Sequence, residues 1–274
     1  MKWWASAASE TQITHGQRLW LYCLAVIIMC LLVIPTVIVI PMSFSDSQYL
    51  EFPPQTWSLR WYHEYLDTPR WMNATVTSFK VASLTMLVAT PFGTMAAYGL
   101  FVSGSRLGKI MFFMLMTPMI EPVILIAIGT FYVFGKLGLV NSILGLVLAH
   151  TVLSVPIVMV IITAALRTYD LNQERVAQSL GSTRLWAFFE IILPQLKLSI
   201  LTAALLAFLT SFDEVIISIF LSGCGNSTLI KQMFSALRDY IDPTIAAIST
   251  LMILLSTGLM LALQFIGDKN SQGD

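Results

Sequence analysis

The sequence predicts an all-α, polytopic membrane protein with six transmembrane helices. Three observations predict it. Hydrophobic residues fill 57% of the 274 positions and charged residues only 11%, less than half the roughly 25% charged residues of a soluble domain. The apolar residues gather in six runs, each close to the about 20 residues that a helix needs to cross a bilayer core. Basic and acidic residues balance at 15 each, which excludes the basic field that a nucleic-acid partner requires.

The first run, 19–43, is too long for the core of a signal peptide, and no small-x-small cleavage site follows it. It reads as a first span and anchor. The second run is 75–103. The third and fourth, 110–134 and 143–166, are separated by Gly135, Lys136, Gly138 and Asn141, which mark a short turn. The fifth and sixth are 196–222 and 243–266. This divides the chain into an N-terminal segment 1–18, a six-helix transmembrane domain 19–266 with a long loop at 168–195, and a tail 267–274.

Orientation follows from the Lys/Arg bias. With a cytoplasmic N-terminus, the inner face holds nine bases: Lys2, Arg18, Arg106, Lys109, Arg167, Arg175, Arg184, Lys197 and Lys269. The outer face holds five: Arg60, Arg70, Lys136, Lys231 and Arg238. Both termini are therefore expected inside. Lys80 sits near a span end and can snorkel outward.

The outer segment 44–74 carries Phe52-Pro53-Pro54 and the aromatic cluster Trp57, Trp61, Tyr62, Tyr65 and Trp71. Such rings favour the membrane interface. The outer segment 223–242 holds Gly223, Gly225 and Asn226 as turn residues. Cys23 and Cys30 lie in the first run, and Cys224, with no His or second Cys near it, reads as a free thiol rather than a metal ligand.

Charged groups inside a membrane are costly and mark function. Glu121 falls within the third run, between Pro118 and Pro122. Asp213 and Glu214 fall within the fifth, after Phe212, and His150 within the fourth. Three carboxylates without an intramembrane Lys or Arg point to a pathway for cations, with Phe212, Trp57 and Trp61 as aromatic faces for cation–π contact. The competing reading makes the carboxyls hydrogen-bonded glue between helices, His150 a satisfied packing residue and the tryptophans interface anchors. Pro118, Pro122 and Pro156 are expected to kink or interrupt their helices.

The loop 168–195 is the most informative stretch. Asp170 can cap a helix from about Leu171 to Leu180, with Gln173 placed to close a capping box. Gly181 stops that helix. Ser182 or Thr183 caps a second helix through Ile192, and Pro194 starts the return to the membrane. Val176, Leu180, Leu185, Trp186, Phe188 and Phe189 are many apolar groups for a solvated loop. They fit either the protein's own spans or bilayer surface, or a socket for a cytoplasmic partner.

Here the sequence resembles a family. Glu174-Arg175-Val176-Ala177-Gln178-Ser179-Leu180-Gly181, then nine residues and Ile191-Ile192-Leu193-Pro194, is similar to the Glu-Ala-Ala loop of binding-protein-dependent ABC importer permeases of type I fold. The spacing from Gly181 to Pro194 matches in full. Arg175 stands at the motif's Glu and Val176 at its first Ala. The resemblance implies that Glu174, Val176, Ala177, Leu180, Gly181, Ile191, Leu193 and Pro194 couple the chain to a cytoplasmic ATPase. It implies two copies of that ATP-binding subunit, a second homologous permease in a heterodimer, an external substrate-binding protein, and a multi-pass place in a bacterial inner membrane. ATP and Mg belong to the ATPase. This chain carries no cofactor, since no phosphate-binding G-x-x-x-x-G-K-[ST] loop occurs in it.

Further segments resemble the spermidine/putrescine branch of these permeases: Phe52-Pro53-Pro54 with Ser58-Leu59-Arg60-Trp61-Tyr62, Asn73, Gly93-x-x-x-Ala97-Tyr98, Ala149-His150, Ser211-Phe212-Asp213-Glu214 and Asp242-Pro243-Thr244-Ile245-Ala246-Ala247. They imply a polyamine cargo, and relatives that import opines or amino-acid derivatives share much of the pattern. Two other classes fit less well. An ion-coupled secondary transporter would usually show repeated halves. An intramembrane aspartyl protease would need a Gly where Phe265 stands.

Overall fold

The structure is a computed structural model. It describes residues 15, 18–170, 172–223 and 225–271, with 266–271 described by backbone alone. The expectations for the segment before 15, for Leu171 as a helix start, for the Cys224 thiol and for the far C-terminal tail lie outside the described residues.

In chain order the helices are α1 Leu19–Met42, α2 Arg60–Asp67, α3 Pro69–Ser103, α4 Arg106–Met116, α5 Val123–Leu137, α6 Ile143–Thr168, α7 Asn172–Ser179, α8 Arg184–Ala187, α9 Leu193–Gln195, α10 Lys197–Phe212, α11 Ile216–Leu221, α12 Leu229–Tyr240 and α13 Thr244–Ser271. A 3₁₀ turn at Thr117–Met119 follows α4, and a π-helical stretch at Phe188–Ile192 joins α8 to α9. Four helices, α1, α3, α6 and α13, are long and apolar enough to cross a membrane, and two bent pairs raise the number to as many as six.

Two of the six predicted runs are not single helices. The third breaks at Ile120–Pro122, where α4 and α5 meet at 99°. Pro118 and Pro122 each remove a backbone donor, so the i→i−4 ladder cannot cross the break. The fifth breaks at Asp213–Val215, where the backbone of Asp213 leaves the helical region. Pro156, by contrast, does not interrupt α6. It is buried in the packed interior, where neighbouring helices support the freed backbone. Helix α3 begins well before 75, because Thr68 is extended and Pro69 occupies the first turn, a position that suits proline. Its 35 residues make about 52 Å, longer than the bilayer core is thick.

The chain divides into two compact units. The first comprises 1–65 and 241–252. Helix α1 buries none of its side chains, as suits a helix that is apolar all round. Beyond it, the Ser43 hydroxyl donates to the Ile40 carbonyl at 2.6 Å and lies 2.7 Å from the Tyr62 hydroxyl. Phe44 packs on Tyr62 and Trp57. Trp61 and Tyr65 are buried, with the Arg60 guanidinium 4.8 Å from the Trp61 ring centre. Of the tryptophans expected at the interface, only Trp57 is exposed in this unit. Asp242 starts α13 by accepting from the Thr244 amide at 2.9 Å.

The second unit comprises 66–240 and 253–274. Its centre is the packing of α3, α6 and α10 on one another. Ala89 and Ala97 of α3, Val158, Met159 and Ile162 of α6, and Ala203 and Ala207 of α10 are buried together there. Small residues let the backbones approach. A methyl on Gly93 would stand 2.7 Å from the Val158 side chain. Trp71 is also buried, under Arg70, which faces Tyr240 as well. The segment 223–242 contains, after the expected turn residues, helix α12, whose Leu229 amide donates to the buried Ser78 hydroxyl at 2.8 Å.

Candidate functional site

Both candidate sites lie in the second unit. The first is the loop 168–195. Asp170 accepts from the Asn172 amide at 2.9 Å and so starts α7. Gln173 does not close a capping box: its side-chain oxygen accepts instead from Gln195 at 2.6 Å. That contact ties the two ends of the loop together. Helix α7 stops one residue short of Leu180, in a Schellman turn. The Gly181 amide donates to Gln178 and the Ser182 amide to Ala177, with Gly181 at φ +93°. The Thr183 hydroxyl then accepts from the Trp186 amide and starts α8. The chain stays helical through Pro194 to Gln195 and turns by 79° into α10. The break falls at Leu196, not at Pro194.

The loop separates its apolar groups into two sets. Phe188, Ile192 and Leu196 are buried in the core of the spans, and Leu193 packs on it. The Tyr98 ring of α3 lies 4.7 Å from that of Phe188. Val176, Leu180, Leu185, Trp186 and Phe189 are all more than half exposed. Of the other predicted coupling residues, Ala177 is buried, Ile191 half-buried, and Gly181 and Pro194 exposed. Glu174 is turned inward. Its carboxylate accepts from the Arg184 guanidinium and from the Gln178 amide, each at 2.9 Å. Arg175, at the motif's acid position, is exposed.

The second site is the pair of broken spans. Half-helices α5 and α11 pack side by side through Ala127, Ile217 and Leu221, and Phe131 meets Phe220. Both end at Asn141, which follows the α5 turn and whose amide donates to the Leu221 carbonyl at 2.7 Å. The acids Glu121 and Asp213–Glu214 precede the opposite, N-terminal ends of the two half-helices. Negative charge there complements the helix dipole.

The predicted pathway residues take different places around these breaks. Glu121 is exposed at the bend. Glu214 caps α11, accepting from the Ile217 amide at 3.0 Å. Asp213 is exposed, and its carboxylate has no partner among the described residues. Phe212 is buried, stacked on Phe208 at 5.6 Å and edge-on to Phe79 at 5.0 Å. His150 is buried and bridges the break: Nδ1 lies 2.8 Å from the Ser211 hydroxyl of α10, and Nε2 lies 3.5 Å from the Ser218 hydroxyl of α11. The Ser218 hydroxyl donates to the Glu214 carbonyl, so toward His150 it can only accept. A neutral imidazole has one donor and one acceptor, and each ring nitrogen faces one serine.

Sequence reasoning missed Arg184, Gln178, Ser211 and Ser218. Arg184 had a signal, since it follows the Gly181 turn at a distance that returns it to α7. The serines had none beyond their place beside the acids.

A profile for the binding-protein-dependent transport system inner membrane components matches residues 89–271. The chain is 29% identical over 241 residues to the spermidine/putrescine transport system permease protein PotC of Haemophilus influenzae, covering 88% of this chain and 93% of that one. It is 34% identical over 204 residues to the putrescine transport system permease protein PotI of Escherichia coli, covering 72% and 73%. A solved bacterial alginate ABC transporter, in complex with an alginate pentasaccharide-bound periplasmic protein, has the same fold at a TM-score of 0.70 and 13% identity, over 93% of this chain and 96% of that one.

Proposed function

The chain belongs to the binding-protein-dependent transport system inner membrane components, and on that premise we propose that its cargo is a small organic polycation of the putrescine and spermidine class. As a member of that family it is the permease subunit of an ABC importer, a transport subunit rather than an enzyme. The named activities of the PotC and PotI relatives support the cargo. The single observation that carries it is the free Asp213 carboxylate at the break between α10 and α11. A carboxylate held at membrane depth without a partner suits a cargo that brings its own ammonium group.

The importer uses other chains. The exposed set Val176, Leu180, Leu185, Trp186 and Phe189 docks against an ATP-binding subunit, present in two copies, where ATP and Mg act. A second, homologous permease completes the pathway as a heterodimer. A periplasmic binding protein delivers the cargo, as the family's description implies. Both termini face the cytoplasm, a reading that the Lys/Arg bias supports. Closure of the ATPases moves the loop as a rigid body. Buried Phe188, Ile192 and Leu196 transmit that motion to α10, a lever of about 24 Å that ends at Asp213.

The test is uptake by the assembled importer in vesicles, comparing putrescine, spermidine and an uncharged control, with Asp213→Asn beside the wild type. Saturable uptake of the polyamines alone is expected. Asp213→Asn should slow it without weakening capture by the external binding protein. Equal uptake of the uncharged control would overturn the cargo. Unchanged polyamine uptake by the variant would remove Asp213 from the pathway.

A further inference from the structure

A cavity of about 260 Å³ lies between α3, α4 and α6, lined by none of the acids at the two breaks and by no residue of the loop 168–195 among the described residues. Among the described residues its two charged lining groups are cations, Lys109 of α4 and Arg167 of α6, and no carboxylate lines it. Neither cation has a side-chain partner among the described residues. Thr163, also in the lining, has a buried hydroxyl with no hydrogen-bond partner. Thr130, Thr151 and Thr202 satisfy theirs on the carbonyl one turn back, whereas Thr85, Thr90 and Thr94 of α3 share the state of Thr163. Lys109 also stands in the first turn of α4, whose N-terminus is capped by Ser105, and the dipole there favours an anion.

The rest of the wall is apolar. Leu100 and Phe101 of α3 and Phe112 of α4 face the same space. A water-soluble anion would satisfy the cations and leave this wall wet. An amphiphile satisfies both. The cavity is smaller than the roughly 300 Å³ at which pockets for whole small molecules begin, which suits a headgroup whose chain continues along the outside of the helices. Lys109 and Arg167 belong to the set of bases that the charge bias places on the inner face, where acidic lipids attract juxtamembrane cations.

We infer that this cavity is a binding site for an anionic phospholipid of the inner leaflet. The phosphate lies between Lys109 and Arg167, with Thr163 as a donor, and one acyl chain lies along Leu100, Phe101 and Phe112. The lipid joins α4 to α6 at the end where α6 enters the loop. It braces the junction that must stay stiff when the loop moves. The inference rests on the membrane reading of these helices and not on the nature of the cargo.

The test reads lipid retention, independent of transport. The whole importer is placed in nanodiscs of phosphatidylcholine with a minority of phosphatidylglycerol, then released, and its retained lipids are counted by native mass spectrometry. Wild type should retain phosphatidylglycerol over phosphatidylcholine. Each cation near an anionic leaflet contributes about a fivefold factor, so Lys109→Gln with Arg167→Gln should lower retention about 25-fold. Lys109→Arg with Arg167→Lys should keep it, and Lys80→Gln should change nothing. Soluble glycerol phosphate should not displace the lipid. Equal retention by the double Gln variant, loss in the charge-preserving variant, a preference for phosphatidylcholine, or displacement by glycerol phosphate would each overturn the assignment.

Discussion

The Glu174–Arg184 pair offers the sharpest test of how the loop holds its shape. The Glu174 side chain is 4% exposed and that of Arg184 59%. Removing one partner of a fully buried pair costs about 3–5 kcal/mol, whereas an exposed pair contributes about 0–1 kcal/mol. One end here is buried and the other mostly solvated, so the coupling between them should fall near 1–2 kcal/mol. The two single changes should not be equal. Arg184→Gln leaves a buried carboxylate without its cation, beside Gln178 and the Tyr98 hydroxyl. Glu174→Gln leaves an arginine that water already reaches. Hydrogen exchange of the α7 amides in the assembled importer reads this directly, because it reports local opening. Arg184→Gln should speed their exchange about tenfold, Glu174→Gln less, and the double variant less than the product of the two. If the single effects simply add, within about 0.3–0.5 kcal/mol, the pair does not brace the turn. If Glu174→Gln proves the more severe change, the carboxylate serves a contact outside the loop.

Leu180 is 83% exposed, so Leu180→Arg should leave the fold intact while abolishing most ATP-driven uptake. Gly181→Pro should abolish it too, by breaking the turn that presents Leu180, because proline cannot reach φ +93° and has no amide to donate to Gln178. Wild-type stimulation of ATP hydrolysis by the loaded binding protein in both variants would contradict the docking role. Gly93→Val should destabilise the second unit by about 1–3 kcal/mol through overpacking, read as a lower melting temperature of the purified importer. An unchanged melt would mean that α3 and α6 can separate at Val158 without cost.

The six apolar runs were readable because lipid demands some 20 consecutive apolar residues wherever a chain crosses it. All six fall on helical segments. The breaks in the third and fifth runs were less readable. An apolar count does not change when a helix bends, and prolines alone do not decide the matter: Pro118 and Pro122 flank a break while Pro156 sits inside an unbroken helix. Pro35 and Pro91 also sit inside unbroken helices, whereas the break at Ile120–Pro122 has two prolines within five residues. Helix α12 escaped notice because half of its residues are polar and the glycines before it dominate the local signal. In the loop, Gly181 announced its turn, since the Schellman geometry needs a residue at positive φ. The inward turn of Glu174 was hidden, because it depends on where α8 lies once that turn has formed.

The polar groups at the α10–α11 break can be sorted by what each already does. Sequence singled out Asp213 and Glu214 first, then Glu121, as charges inside the membrane, and left His150 closer to a packing residue. Glu214 has its carboxylate committed to the Ile217 amide, and a group that caps a helix is not free to follow a cargo. His150 is committed twice, to Ser211 before the break and to Ser218 after it. A neutral imidazole has one donor and one acceptor, and both are used. Such a clasp fixes the angle between the two half-helices without offering an open site. What it fixes is the position of Asp213, the one group of the three that is exposed and unpaired. On the proposed function the three therefore act in series: Glu214 and His150 shape the break, and the break presents Asp213. Replacing His150 should then alter uptake through the placement of Asp213 rather than through a lost cargo contact. Its effect should largely vanish in an Asp213→Asn background, whereas two independent cargo ligands would give effects that multiply.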